Sequence, residues 1–319
     1  MTTLDTATTS FLDAMRAGGG KPLYEQTVEE VREAIRMASQ QLAAPPADVH
    51  DVVNRAIPVA GAEIGIRIYT PRPIAGGVSL PIVLHFHGGG FVAGDLDTHD
   101  SIARYYARHA DVIVIGVDYR LAPEHRFPAA VDDAYAAVTW AVDHAGELHG
   151  DAGRIAVTGD SAGGNLAAVV CQLARERRGP RIAFQALVYP VVDFDLRTSN
   201  VSRTQFGGGE YFLSTRDMEW FASMYMSDVE REVSDPRVSP LLARDFSGLP
   251  PALVVTSGCD PLRDEAKAYA DRLAAAAVAV EYRCIEGTIH ACMSFAGAIP
   301  AGLETLSFVA SRLRLALHG

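Results

Sequence analysis

"RIAVTGDSAGGNLAAVV" (residues 154–170) reads as a β-branched strand, a turn of small residues and an alanine-rich helix. One serine, Ser161, stands at the turn between Gly159 and Gly163. A sharp strand-to-helix turn that exposes a serine hydroxyl holds it in a strained backbone conformation, so its neighbours must be small or absent. The helix that follows directs its first N–H groups toward the turn, where they favour negative charge. The five residues alone also fit an ordinary βα turn. A phosphate-cradling loop fits less well, because no Lys-Ser or Lys-Thr pair follows the glycines.

Outward from this stretch the chain keeps one rhythm. Apolar runs at 81–87, 111–119, 154–159, 184–190, 252–258 and 280–287 alternate with helical patterns at 98–109, 128–146, 162–177, 263–277 and 301–316. Continuous apolar strands alternating with helices predict a mostly parallel sheet covered on both faces, an α/β fold. In such sheets ligands sit beyond the carboxyl ends of the strands. Two further strands meet at Ala60-Gly61, with Ile64, Ile66 and Ile68 in alternation. Residues 1–50 read as an N-terminal helical part, with Thr27 and Glu30 placed for a capping box. Residues 51–319 read as the main domain, and about 193–245 break its rhythm as an insertion over the strand ends.

A serine hydroxyl needs a base to take its proton. In sheets of this type the order along the chain is Ser, then Asp or Glu, then His. Two histidines follow Ser161: His318, next to the last residue and expected to fray, and His290, just beyond the run "VEYRCIEG" (280–287). His290 is the predicted base. The acid is expected at the end of the preceding strand, in "ALVVTSGCDPLRDE" (252–265), which selects Asp260. Asp264 and Glu265 are read as favourable charges in the first turn of the next helix. An oxyanion hole is expected from "LHFHGGGFVAGD" (84–95), where Gly88, Gly89 and Gly90 let bare N–H groups approach a carbonyl, with Ala162 N–H as a further donor. His87 is assigned to support of that loop.

The bulk composition fits this reading. The chain has 319 residues, 49% hydrophobic and 21% charged, with a formal net charge of -11. That charge argues against a protein built to grip nucleic acid or an anionic membrane. The densest basic cluster, Arg175 to Arg181, reads as a solvated helix end. No signal peptide and no bilayer-spanning apolar run are evident. Cys171, Cys259, Cys284 and Cys292 match no zinc spacing and read as reduced thiols, so a cytoplasmic protein is expected.

Together, "HGGGF" (87–91), "DYRLAPEHRFPAAVDD" (118–133), "GDSAGGN" (159–165), "DPRVSPL" (235–241), "DPLRDE" (260–265) and His290 resemble the bacterial hormone-sensitive-lipase family of α/β-hydrolases over about residues 75–300. The resemblance implies an eight-stranded sheet, a helical cap built from the N-terminus and an insertion, and hydrolysis of carboxylic esters without a cofactor. It assigns Ser161 as nucleophile, Asp260 as acid and His290 as base, and places Asp118, Tyr119 and Arg120 beneath the oxyanion hole. One departure stands out: Ala291 and Cys292 follow His290 where the family usually has glycine and a bulky residue. The expected substrate is an uncharged ester of short to medium acyl chain, with Phe11, Tyr24, Phe206, Tyr211, Phe212, Trp220 and Phe221 as candidate cap or pocket residues. An amidase or lactonase would use the same parts. The plant gibberellin receptors, similar in fold but lacking the histidine, offer a non-catalytic binding alternative. The strand at 280–287 is expected at the sheet edge, where it invites a homodimer.

Overall fold

The computed structural model describes residues 3–198 and 200–319. The chain runs α1 (Thr6–Ala17), α2 (Val28–Leu42), β1 (Asp51–Val59), β2 (Ala62–Thr70), β3 (Leu80–Phe86), α3 (Asp100–Ala110), β4 (Ile113–Asp118), α4 (Ala129–Asp143), β5 (Gly150–Asp160), α5 (Ala162–Glu176) and β6 (Phe184–Val188). It continues through α6 (Val201–Phe206), α7 (Thr215–Tyr225), α8 (Val229–Glu232), β7 (Ala252–Cys259), α9 (Arg263–Ala275), β8 (Val280–Ile289) and α10 (Pro300–His318).

Two-faced burial explains the unbroken apolar runs. Every residue of β3 and of β7 is buried. In β5, Ile155 and Val157 point into one core and Ala156 into the other, as the period of two requires. One face packs Val131 of α4, Leu166 of α5 and Tyr269 of α9; the other packs Ile102 and Tyr106 of α3 with Leu306 and Leu313 of α10. The sheet order is β1-β2-β4-β3-β5-β6-β7-β8, with eight strands. β1 and β2 are antiparallel, as are β2 and β4, while β3 through β8 are parallel to their neighbours. The loops after β3, β5, β7 and β8 therefore open at one edge of the sheet. β8 is the last strand, as the sequence suggests. β6 stops at Val188 rather than residue 190, because Tyr189 turns to φ 33° and Pro190 follows.

The N-terminal helices lie against the 193–245 segment and the loop after β3. Thr27 and Glu30 form the capping box that starts α2. Val31 is buried and Met37 is 44% exposed, while Val28, Ala38 and Leu42 pack partly buried against the cores. Arg32 donates to Val92 O and Ala122 O and pairs with Glu124. Arg16 donates to Glu210 O, and Asp217 accepts the Tyr24 N–H. Among the described residues of 193–245 there is no strand, only α6, α7, α8 and a short 3-10 turn. No helix among the described residues is long and apolar enough to cross a membrane.

One expectation holds and gains a partner, and one needs correction. Glu265 lies in the first turn of α9, as read, and it is also 3% exposed, accepts from the N–H groups of Val192 and Asp193, and pairs with Arg203, itself 6% exposed. Burial acts to raise its carboxyl, and Arg203 acts against that. This pair fastens α6 to the start of α9. His318 does not fray: α10 continues to it, and its imidazole lies 3.1 Å from Ala110 O. Removing one partner of a buried ion pair leaves the other charge uncompensated, at about 3–5 kcal/mol. Arg203→Leu is accordingly expected to lower the urea midpoint sharply, and Glu265→Gln to lower it less.

Candidate active site

The elbow between β5 and α5 is built on contacts too close for any side chain. A Cβ at Gly163 would lie 1.9 Å from Phe86 O, and one at Gly159 would lie 2.3 Å from Gly163 O. Ser161 itself has φ 56° and ψ -117°, a sparsely populated conformation that costs about 1–3 kcal/mol. Its N–H donates to Val188 O at 2.9 Å, which holds the strained residue in place. As the residue before α5 it makes no side-chain cap. Its hydroxyl is thus left for another partner.

That partner is His290. Its Nε2 lies 2.9 Å from Ser161 Oγ, and its Nδ1 lies 2.8 Å from Asp260 Oδ2. A carboxylate only accepts, so Nδ1 carries the proton and the Nε2 lone pair faces the serine hydroxyl. Asp260 is 0% exposed, and its other oxygen accepts the Leu262 N–H at 2.8 Å. The ring edge of Tyr189 packs on His290 with centroids 5.0 Å apart. Residues from the ends of β5, β7 and β8, separated by 129 and 30 positions in the chain, thus form one hydrogen-bonded row.

Ala291, where the sequence departs from the usual pattern, adopts φ 61°, a left-handed conformation that glycine takes without strain. Cys292 is buried, with Sγ 3.7 Å from Ser257 Oγ, and burial pushes its thiol up, away from the reactive thiolate.

The glycine loop after β3 packs directly against the elbow. Gly89 and Gly90 have φ 115° and 63°, and neither N–H has an acceptor among the described residues. Ala162 N–H belongs to the first turn of α5, whose donors have no intrahelical partner. Gly88 stands apart. Its N–H is already engaged, 3.1 Å from Asp160 Oδ1 and 3.2 Å from His99 Nε2, unlike those of Gly89 and Gly90. Glycine is required there for another reason: a Cβ would lie 2.3 Å from Asp160 Oδ2. Helix α7 also touches this loop. The Phe221 ring of α7 covers Gly90, and Tyr225 stacks on Phe91 with centroids 3.9 Å apart.

Beneath the loop lies a buried polar cluster that the sequence reading missed. Asp160, His85, His87 and His99 are all buried around Gly88. His87 meets Gly88 O at 2.8 Å, its ring stacks on Tyr119, and Tyr119 Oη donates to His87 O. The expectation that His87 supports the loop and that Tyr119 packs beneath it fits these contacts. The sequence signal for His85 was its place inside an apolar strand, two residues before His87. Among the described residues, no group of three or more His, Cys, Asp and Glu is arranged to hold a metal ion.

Burial holds His85 down to about 3 and His87 down to about 4, both from an ordinary 6.5. Unfolding returns both rings to the ordinary value. Below 6.5 the unfolded chain therefore binds protons that the folded chain refuses, and stability falls as the pH falls. The urea midpoint is expected to drop between about pH 7.5 and pH 5, and His85→Leu, which removes one such group, to make that drop smaller.

With this geometry in hand, comparison with known proteins is direct. The alpha/beta hydrolase fold family matches residues 83–294. The chain is 48% identical over 254 residues to the carboxylic ester hydrolase LipN of Mycobacterium tuberculosis, covering 78% of this chain and 66% of that protein. It is 38% identical to an ethyl acetate hydrolase of Pseudomonas putida, with 96% of each chain covered. Among solved structures, the ester-hydrolase EH1AB1 from the metagenome of Lake Arreo superposes with a TM-score of 0.93 at 42% identity, covering 99% of this chain and 100% of that one. The protein belongs to the hormone-sensitive-lipase-like family of α/β-hydrolases.

Proposed function

We propose that the protein is a serine carboxylesterase in which Ser161 is the nucleophile, His290 the base and Asp260 the acid that orients it. The hydrogen-bonded row from Ser161 Oγ to His290 Nε2, at 2.9 Å, carries this reading. His290 takes the hydroxyl proton as Ser161 attacks the ester carbonyl. The negative oxygen that forms is met by the N–H groups of Gly89, Gly90 and Ala162. His290 then protonates the departing alcohol, leaving an acyl-enzyme. Water, deprotonated by the same imidazole, attacks the acyl carbon, and the proton returns to Ser161 as the acid leaves. Asp260 stabilises the transient imidazolium without accepting its proton.

The substrate in this reading is a neutral ester of short to medium acyl chain. The similarity to an ethyl acetate hydrolase supports it, as does the Phe221 ring seated over Gly90. Residues 1–50 and about 193–245 form the cap around that pocket. Two copies pair through the open edge of β8, and sedimentation at micromolar concentration is expected to give twice the monomer mass of 34.1 kDa; a monomer there would refute the pairing. Ser161→Ala is expected to lower the hydrolysis of p-nitrophenyl esters by about 10⁴-fold or more with the fold unchanged. Across a series from acetate to palmitate, kcat/KM is expected to peak at or below medium length. Near-wild-type activity in Ser161→Ala would refute the assignment.

A further inference from the structure

We infer that His99 is a positioning residue for the oxyanion loop: its Nε2 lies within hydrogen-bond reach of both the Gly88 N–H and the Asp160 oxygen that accepts that N–H, and this hold aims the N–H groups that follow. The inference rests on the reading of Gly89 and Gly90 as oxyanion donors.

His99 is held at both ring nitrogens. Thr98 Oγ1 donates its one proton to Asp95 O at 2.9 Å and accepts the Asp95 N–H at 2.9 Å. His99 Nδ1 lies 3.0 Å from the same hydroxyl. Its Nε2 lies 3.2 Å from Gly88 N and 3.3 Å from Asp160 Oδ1, between the loop and the carboxylate. Asp160 Oδ1 accepts from the same N–H at 3.1 Å.

Two contacts do what one does not. A single acceptor leaves the peptide between His87 and Gly88 free to rock about the bond. The Asp160 carboxylate at the end of β5 and the His99 ring that precedes α3 hold that peptide from two sides, and the ring also holds the carboxylate. The next peptide carries the Gly89 N–H, and the one after carries that of Gly90. A hydrogen bond weakens steeply as it bends, so the angle of these groups matters as much as their presence. The hold is built from the loop's own continuation. The chain leaves Gly88, turns at Gly94 and Asp95, and returns through Thr98 and His99 to grip its starting N–H. Asp95 secures the turn by accepting the N–H groups of Asp97 and Thr98.

The test uses the full chain with His99→Ala, which removes the contact, and His99→Gln, whose amide offers both a donor and an acceptor at a similar reach. Three quantities are read: kcat and KM for p-nitrophenyl acetate, the affinity of an alkylboronic acid that mimics the tetrahedral intermediate, and the melting temperature. Deleting an oxyanion donor outright lowers kcat about 10²- to 10³-fold. Misaiming is expected to lower it less, about 10- to 100-fold in His99→Ala, with KM within about twofold and boronate affinity falling in step with kcat. His99→Gln is expected to recover most of the loss. An unchanged kcat in His99→Ala overturns the inference. So does a fall in melting temperature and kcat with no loss of boronate affinity, or a His99→Gln no better than His99→Ala. Should His99→Ala fail to fold, His99→Leu provides the non-accepting comparison. A wild-type protein that neither hydrolyses the ester nor binds the boronate overturns the esterase reading itself, and this inference with it.

Discussion

The site is set by two stretches of backbone that lie against each other. The start of α5 lies against the last carbonyls of β3, with no room at Gly163 for a single carbon beyond Cα. This contact sets the height of Ser161 above the sheet and the distance from it to the glycine loop. The strain in Ser161 is held by the same packing, since its N–H is fixed to Val188 O at the end of β6. A parallel sheet makes such a contact possible, because neighbouring strands end together. The relay and the loop both depend on it. If the elbow moved outward, Ser161 would leave His290, and Ala162 N–H would leave the glycine loop.

The relay and the loop use different elements and are tied by different chemistry. Asp260 and His290 come from β7 and β8, adjacent and parallel, so their hydrogen bond is a consequence of register. The glycine loop belongs to β3, on the other side of β5. It is held from below by a buried polar cluster and from above by the aromatic contacts of α7. Helix α7 and the floor of the site therefore meet at Gly90 and Phe91, within the glycine loop. The Arg203–Glu265 pair adds a second tie, between α6 and the helix that follows Asp260.

Much of this was legible in the sequence because it is written in local patterns. Apolar runs bounded by glycine gave the strands. Its place just beyond a strand separated His290 from His318. The segment with no strand between 193 and 245 announced itself by breaking the rhythm. What was not legible is partnership across the chain. Glu265 sits in a helix's first turn, where an acidic residue needs no further explanation, and only the fold brings Arg203 to it. Gly88 looked equivalent to Gly89 and Gly90, and nothing local says that its N–H goes to Asp160. Asp160 itself reads as a turn residue beside the serine. Its burial among three histidines depends on how β3, β5 and α3 come together.

The central claim is that the hydroxyl of Ser161 is activated by His290 and by no other group. The most direct measurement is mass spectrometry of the protein after exposure to a fluorophosphonate, with peptide mapping of the adduct, run beside His290→Ala. The account predicts one phosphonate per chain, on Ser161, and little or none in the variant. An adduct on another residue, or equally fast labelling without the imidazole, would contradict it.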